Sequence, residues 1–270
     1  MTAALMIKPA SSSHTIISKE AQFKGKSSTM SDPTCPHNKA ISCLDCRLGK
    51  ICLPVALKDD DIVQLDEIVK RGRMLEKGEH LYRANDQFHS VFAVRSGYVK
   101  TYRLTKDGEE QITGFYFPGE VVGLDGINQN AYSNSAKTLE SSAVCEIPFN
   151  SFQELSLQMP QLQTHFFQLM SQEIAEDQLL ITLLSKKTAE QRLATFVLTI
   201  SARNAARNLS ATHLRLPMSR TEMGNFLGLT VETVSRTLNR FAKEGVISLD
   251  QKEVSILDLE KLRVTANLDY

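Results

Sequence analysis

The sequence lacks a long apolar run and an excess of either charge, and we expect no secretion leader. No stretch approaches the roughly 20 apolar residues needed to cross a bilayer, and the opening residues have neither a basic lead nor a long apolar core. We therefore expect a cytoplasmic protein with no membrane partner. Lysine plus arginine and aspartate plus glutamate each total 31 among 270 residues, so any positive surface that binds DNA must be local.

Enzyme signatures are also missing from the sequence. The histidines are scattered, and none stands in a recognisable local pattern with a nucleophile. No glycine-rich segment matches a P-loop or a dinucleotide-binding fingerprint. We therefore predict no catalytic residues and expect a protein that is not an enzyme.

Cysteines are few but unevenly placed. Cys43, Cys46 and Cys52 lie within ten residues, and Cys145 stands far downstream. Clustered thiols in a reducing compartment are more often metal ligands than disulfides. Four thiolates suit a zinc ion or an iron–sulfur cluster, whereas a disulfide between Cys43 and Cys46 would need no metal. The residues alone leave these three alternatives open.

Changes in composition divide the chain into five predicted segments. Glycines separate short β-rich runs at 90–95, 98–104 and 111–117, and Lys106-Asp107-Gly108 is typical of a hairpin turn. Many short strands with regular turns predict a small antiparallel barrel or sandwich. The segments are a disordered tail at 1–34, a cysteine-rich segment at 35–57, a β-rich domain at 58–160 that opens with a short helix at 59–70, a dimerisation helix at 161–188 and a C-terminal domain at 189–270.

The dimerisation helix is predicted from its spacing. Seven positions are separated alternately by three and four residues, which is the spacing of a heptad seam in a helix of about 25 residues. They are Phe167, Met170, Ile174, Asp177, Ile181, Leu184 and Thr188. A helix packed against its own domain is the alternative, but the acidic Asp177 on the apolar line favours dimerisation. The predicted seam residues are Met170, Ile174, Asp177, Ile181 and Leu184.

A helix-turn-helix is predicted in the last segment. Residues 219–227 and 231–241 have helical character, Gly228 lies in the turn between them, and Thr230 can cap the second helix. The apolar face that holds the pair together would be Met223, Leu227, Val234, Leu238 and Phe241. The other predictions here are a connection at 209–217 and a two-stranded wing at 245–249 and 253–257.

The exposed face of the second predicted helix carries side chains suited to base edges. Arginine pairs with guanine, glutamate accepts from cytosine, and serine suits several partners. The alternative is a solvated face on an ordinary helical hairpin. The residues on this face are Glu232, Ser235, Arg236 and Asn239, and further candidates for DNA contacts are Arg220, Thr230 and Arg240.

This order of elements resembles the CRP/FNR family of bacterial transcription regulators, and within it the FNR-type oxygen sensors. The stretches that carry the resemblance are DGEEQITGF at 107–115, CEIPF at 145–149, LLSKK at 183–187 and LGLTVETVSR at 227–236. The resemblance covers about residues 40–255. It implies an α+β fold with an N-terminal antiparallel β-roll of the cyclic-nucleotide-binding type, a long dimerisation helix and a C-terminal winged helix-turn-helix.

The resemblance also implies a function for the cysteines. Cys43, Cys46, Cys52 and Cys145 match the four that bind a 4Fe-4S cluster in FNR-type sensors, whereas Cys35 has no counterpart. The implied protein dimerises without oxygen and binds two-fold symmetric DNA with TTGAT-type half-sites, contacting bases through Glu232, Ser235 and Arg236. The alternative is a zinc-stabilised or thiol-redox regulator of the same fold.

Two partner predictions follow from the same resemblance. Cyclic-AMP-binding members carry an arginine in the phosphate loop, where this chain has Asn134-Ser135-Ala136. A phosphate would lack its main cationic partner there, so we expect no cyclic nucleotide. RNA polymerase is an implied partner, and the loop at 106–110 is the candidate contact.

Air would return the protein to a monomer because paired Asp177 carboxylates repel each other.

Overall fold

The computed structural model describes residues 41–267. The predicted tail at 1–34, and Cys35 with the first part of the cysteine-rich segment, lie outside the described residues. Inside that range, no helix combines the length and the apolar character needed to span a bilayer. The chain has an α+β fold in which a β-roll precedes a long helix and a winged helix-turn-helix.

The cysteine segment consists of turns that end in a 3-10 helix, Leu53–Ala56, followed by helix α1, Asp59–Ile68. Three aspartates in the first turn of α1 favour its start through the helix dipole. The helix ends two residues before the predicted Lys70, because Lys70–Arg71 form strand β1 and pair with another strand. Leu65 anchors α1 in the core of the β-roll.

The β-roll consists of two antiparallel four-stranded sheets. Their orders are β1-β8-β3-β6 and β2-β7-β4-β5. The three β-rich runs predicted from sequence are strands here, and the predicted hairpin joins β4 to β5 with Gly108 at a φ of +83°. The strands after β1 are β2 His80–Tyr82, β3 Ser90–Ser96, β4 Val99–Leu104, β5 Glu110–Tyr116, β6 Val121–Val122, β7 Ser135–Thr138 and β8 Ala143–Pro148.

Three helices follow the β-roll: α2 Phe149–Gln158, α3 Pro160–Lys186 and α4 Ala189–Ala206. The sequence prediction that Thr188 belongs to the heptad seam is wrong. Thr188 instead caps the N-terminus of α4. Its hydroxyl accepts from the Gln191 backbone N–H, and the Gln191 side-chain oxygen accepts from the Thr188 backbone N–H. The long helix therefore ends at Lys186, and two residues separate it from the next.

The C-terminal part is a winged helix-turn-helix whose hydrophobic core continues onto β-roll residues such as Ile112 and Phe115. Helices α5 Arg220–Leu227 and α6 Val231–Lys243 match the predicted pair. The region predicted as a plain connection contains strand β9, His213–Arg215, which adds to β10 Ile247–Asp250 and β11 Glu253–Ile256. The wing therefore has three strands instead of two, and α7, Leu259–Ala266, packs behind it on α4.

Candidate functional site

The four predicted metal-binding cysteines line one cavity. Cys43, Cys46 and Cys52 come from the turns before α1, and Cys145 comes from β8. The cavity has a volume of about 40 Å³, more than a single water needs. Folding therefore brings the distant cysteine to the other three.

Backbone bonds and apolar anchors hold the cysteine segment on the β-roll. The Cys52 N–H donates to the Leu48 carbonyl at 2.9 Å, and the side chain of Leu48 is buried. Ile51 lies directly on Gly119, where an added Cβ would stand 2.6 Å from the Ile51 Cδ1 atom. Gly119 also has a φ of +96°, so this contact needs glycine for two reasons.

A charged pair that sequence reasoning missed braces the first cysteine. The Cys43 N–H donates to the Asp66 carboxylate at 2.7 Å, and Arg71 forms an ion pair with the same carboxylate. Arg71 Nη2 also lies 3.3 Å from the Cys43 sulfur. Because Arg71 stands opposite Cys145 in the β1–β8 register, one arginine lies between the segment's cysteine and the β-roll's cysteine. Sequence spacing gives no signal for this arrangement.

The electrostatics of the cavity favour neutral thiols until a ligand displaces their protons. Burial raises the pKa of Cys43, with the adjacent Asp66 adding to the effect. Burial raises the pKa of Cys52 to about 12, and it also raises the pKa of Cys145. Metal binding would release these protons. Across residues 41–267, no three His, Cys, Asp or Glu side chains are close enough to hold a single metal ion.

The predicted seam is an apolar stripe along α3. Phe167, Ile174 and Ile181 are 60%, 57% and 67% exposed, and Asp177 is exposed between the two isoleucines. Large apolar side chains in a continuous exposed row mark interaction sites more often than ordinary surface. Met170 and Leu184, also in the predicted seam, are half-buried.

A half-buried acid that the sequence did not reveal lies on the face of α3 toward the β-roll. The Tyr116 hydroxyl donates to the Glu173 carboxylate at 2.6 Å. Burial raises the pKa of Glu173 to about 7, with Glu176 and Asp177 adding to the shift. This carboxyl therefore titrates near neutral pH, close to the predicted seam.

One arginine joins the end of the long helix to the helix-turn-helix. Arg192 on α4 donates to the Leu184 carbonyl at 2.7 Å and to the Lys187 carbonyl at 3.0 Å. The same guanidinium donates to the Leu227 carbonyl at 2.9 Å, at the end of α5. A movement of α3 therefore has a direct connection to the turn of the helix-turn-helix.

The helix-turn-helix geometry follows from its caps and its turn. Ser219 and Glu222 form a capping box on α5, and Thr230 caps α6. Gly228 has a φ of +63°. Gly224 has no room for a side chain, because an added Cβ would stand 2.5 Å from the Leu229 carbonyl oxygen. The predicted apolar face, from Met223 to Phe241, is buried.

The predicted base-reading residues lie on the accessible side of α6. Glu232, Arg236 and Asn239 are exposed, and Ser235 is half-buried. The face that would enter a major groove is therefore open.

The candidates for other DNA contacts have more varied settings. Thr230 is exposed, although its hydroxyl is used in the cap. Arg220 is half-buried, and its Nη1 atom has no hydrogen-bond partner among residues 41–267. Arg240 forms an ion pair with Glu190 of α4, so a phosphate contact would compete with that pair.

Helix α5 docks on the free edge of strand β5. The Asn225 side chain accepts from the Ile112 N–H and donates to the Glu110 carbonyl, both at 2.6 Å, as a neighbouring strand would. Lys100 bridges Glu110 and Glu222 at 2.7 and 3.0 Å. These contacts hold the helix-turn-helix against the hairpin that carries the loop at 106–110, and the loop itself is mostly exposed.

The loop predicted to lack a phosphate partner is filled by an acid. The Asp125 carboxylate accepts from the backbone N–H groups of Ser133 and Asn134, at 3.0 and 2.9 Å, and from the Asn134 amide. Glu120, on the neighbouring loop, forms ion pairs with Arg203 of α4 and with Arg207, which caps the end of that helix. A negative charge therefore already occupies the amides that a phosphate would need.

Comparisons with known proteins agree with this architecture. A family described as the cyclic nucleotide-binding domain matches residues 73–158, and one described as the Crp-like helix-turn-helix domain matches residues 191–265. The structure is similar to that of FixK2 from Bradyrhizobium japonicum, with a TM-score of 0.69 and 26% identity over 75% of this chain and 100% of that one.

Sequence relatives are more similar still. The transcriptional activator protein Anr of Pseudomonas aeruginosa is 56% identical over 80% of this chain and 88% of its own length. The fumarate and nitrate reduction regulatory protein of Salmonella typhimurium is 44% identical over 84% of this chain and 91% of its own length. Both relatives are regulators or activators by name.

Proposed function

Because this chain belongs to the CRP/FNR family of transcription regulators, as an FNR-type member with a helix-turn-helix DNA-binding domain, we propose that it is an oxygen-responsive regulator of anaerobic gene expression. Its cofactor would be a 4Fe-4S cluster on Cys43, Cys46, Cys52 and Cys145. The observation that carries the proposal is the cavity shared by these four thiols.

The side chains that line the cavity are chemically suited to a 4Fe-4S cluster. Its donors are four sulfurs, and its other walls include buried leucines and two arginines. Four thiolates would also hold a zinc ion, so metal and sulfide analysis has to separate the two groups. When bound, the cluster supplies an oxygen-labile group that joins the cysteine segment to β8 through four thiolates.

The residues of α3 would convert this state into dimerisation. Ile174 and Ile181 offer exposed apolar surface to a second copy, whereas Asp177 would meet its own copy in a symmetric seam. The acid pair opposes association and the isoleucines favour it. The balance therefore leaves the dimer weak enough to depend on the state of the cysteine segment.

Glu232, Ser235 and Arg236 would then read the bases of each half-site, with Arg220, Thr230 and Arg240 at the DNA backbone. A parallel pair of long helices places two copies of α6 about one helical turn of DNA apart. Arg192 would transmit the seam geometry to the turn before α6, since it binds carbonyls at both places.

The other partners follow from the β-roll. Asp125 bound to the loop amides, and Glu120 bound by arginines, support the absence of cyclic nucleotide binding. The exposed loop at 106–110 is the candidate contact for RNA polymerase. Replacement of the exposed Lys106 and Asp107 by alanine is therefore expected to reduce transcription activation without reducing DNA affinity, because neither residue contacts the helix-turn-helix.

The test is anaerobic purification followed by iron, acid-labile sulfide and zinc analysis and a DNA-binding assay before and after air. We expect about four irons and four sulfides per chain. We also expect at least about tenfold tighter binding to a TTGAT-type palindrome before air than after it.

Cys145→Ser is the matched control, because it removes one ligand while the helix-turn-helix stays intact. It should hold less iron and bind DNA weakly both with and without air, with an unchanged circular dichroism spectrum. One zinc per chain, no sulfide and no response to air would refute the oxygen-sensing proposal and leave the DNA-binding assignment standing.

A further inference from the structure

Two arginines at the four-cysteine cavity have buried N–H groups without an acceptor among residues 41–267. The groups are Nε of Arg71 and Nη1 of Arg95. A buried donor that lacks an acceptor destabilises the folded state, because it has lost its hydrogen bond to water, and folded proteins satisfy nearly all such donors. Two such donors at one cavity indicate that the site is built for an acceptor other than the surrounding side chains.

The sheet places both arginines beside Cys145. In the order β1-β8-β3, Arg71 stands opposite Cys145 on one side and Ala93 stands opposite it on the other. The register of β3 shifts between Val94 and Ser96, so Arg95 is the extra residue of a bulge. A bulge re-aims a side chain, and here the side chain of Arg95 joins the cavity wall.

Only one of the two arginines has its charge balanced by a neighbouring carboxylate. Arg71 pairs with Asp66, whereas Arg95 forms no ion pair in the described part of the chain. Nearby walls of the cavity are the buried leucines Leu48, Leu53 and Leu65. Thiolates in such apolar surroundings need positive charge and hydrogen-bond donors to offset their lost hydration.

We propose that Arg95, together with Arg71, positions and charge-compensates the anionic thiolate-held centre at the four cysteines. Arg71 contacts Cys43 and stands across from Cys145, and Arg95 would offer its unpaired N–H to the centre from the cavity wall. The inference rests on the proposed function, since it requires that the cysteines bind a metal centre as thiolates.

The proposal makes opposite predictions for the metal-free and the loaded protein. Arg95→Met removes an unpaired buried donor, so the melting temperature of the metal-free chain should be unchanged or higher. After anaerobic reconstitution with ferrous iron and sulfide, a ferrous chelator should remove iron about 10–100-fold faster than from wild type. Arg95→Lys keeps the charge and should recover part of the loss.

Arg73→Met is the matched control, because Arg73 is 66% exposed and pairs with Glu79 away from the cavity. Its iron loss should equal that of wild type. Equal iron loss from Arg95→Met and wild type would overturn the inference and leave the proposed cofactor standing. A parallel fall in the melting temperature of metal-free Arg95→Met would also overturn it, because Arg95 would then be structural. Wild-type chain that takes up neither iron nor sulfide would overturn the proposed cofactor, and the inference with it.

Discussion

The DNA-reading end and the cysteine end differ in how far their own residues satisfy one another. In the helix-turn-helix, Ser219 and Thr230 cap the helices and the apolar faces are buried against each other. At the cysteine cavity, burial raises thiol pKa values, and Arg71 and Arg95 keep unpaired donors. In the first region neighbouring residues satisfy the helix ends and bury the apolar faces, whereas the second keeps buried donors that the described residues leave unpaired.

The largest effect is expected where the DNA-reading end is most tightly packed. Gly224→Ala would place a Cβ 2.5 Å from the Leu229 carbonyl oxygen, and backbone cannot move as a flexible side chain does. We expect a loss of about 3 kcal/mol in the free energy of unfolding and loss of DNA binding. Denaturant unfolding and a gel-shift assay would measure the two.

Gly108→Ala separates steric clash from backbone strain. Gly108 has a φ of +83° but nothing within 4 Å of an added Cβ, so the expected cost is only about 1 kcal/mol. If Gly224→Ala cost no more than Gly108→Ala, the tight turn would not be what holds the two helices. Neither variant should change anaerobic iron uptake, because both lie away from the cysteine cavity.

Sequence predicted the DNA-reading end well because its signals are local. A serine and a threonine at helix starts, a glycine at the turn and apolar residues three and four apart all act within a few positions. The third wing strand escaped notice because His213–Arg215 is short and gains its partners from β11, a long way along the chain. Thr188 was assigned to the seam because the heptad spacing continues past the end of α3. At that position the residue caps α4 and does not belong to the seam.

At the candidate cysteine site, the sequence indicated the four cysteines but not the residues that surround them. The cysteines were found by their spacing and by family resemblance, whereas their surroundings depend on tertiary contacts. Arg71 reaches Cys43 because β1 pairs with β8, and Arg95 reaches the cavity because β3 has a bulge. Neither strand register nor a bulge can be read from residue types alone.

Glu173 on α3, which contacts the β-roll through Tyr116, should make the stability of the protein depend on pH. Burial holds the pKa of Glu173 at about 7, above the ordinary value of 4.5. As pH rises between these values, the unfolded chain loses the proton before the folded chain does. The free energy of unfolding therefore falls over that window, by roughly 2–3 kcal/mol, and stays lower above it.

Glu173→Gln should remove this dependence. The variant keeps an oxygen that can accept from Tyr116, so it should match wild type near pH 5 and exceed its stability by about 2 kcal/mol at pH 8. Urea unfolding of the metal-free protein at several pH values would show the difference. Glu154→Gln, at an exposed position of α2, is the control and should follow wild type throughout. Parallel curves for Glu173→Gln and wild type would show that the carboxyl is not held protonated by its burial.

The smallest expected effect concerns Asp177, where the predicted seam is interrupted. Asp177→Ala removes the acid between two exposed isoleucines, so the dimer dissociation constant in air should fall about tenfold, which corresponds to ~1.4 kcal/mol. Sedimentation equilibrium would measure it, and Asp59→Ala, in the first turn of α1, is a control for lost charge alone. Asp177→Asn separates charge from size, and high salt should narrow the gap between wild type and both variants. If Asp177→Ala stayed as monomeric in air as wild type, repulsion at the seam would not be the force that opposes the dimer. The dependence of dimerisation on the cysteine segment would then have to arise from the way α3 packs on the β-roll.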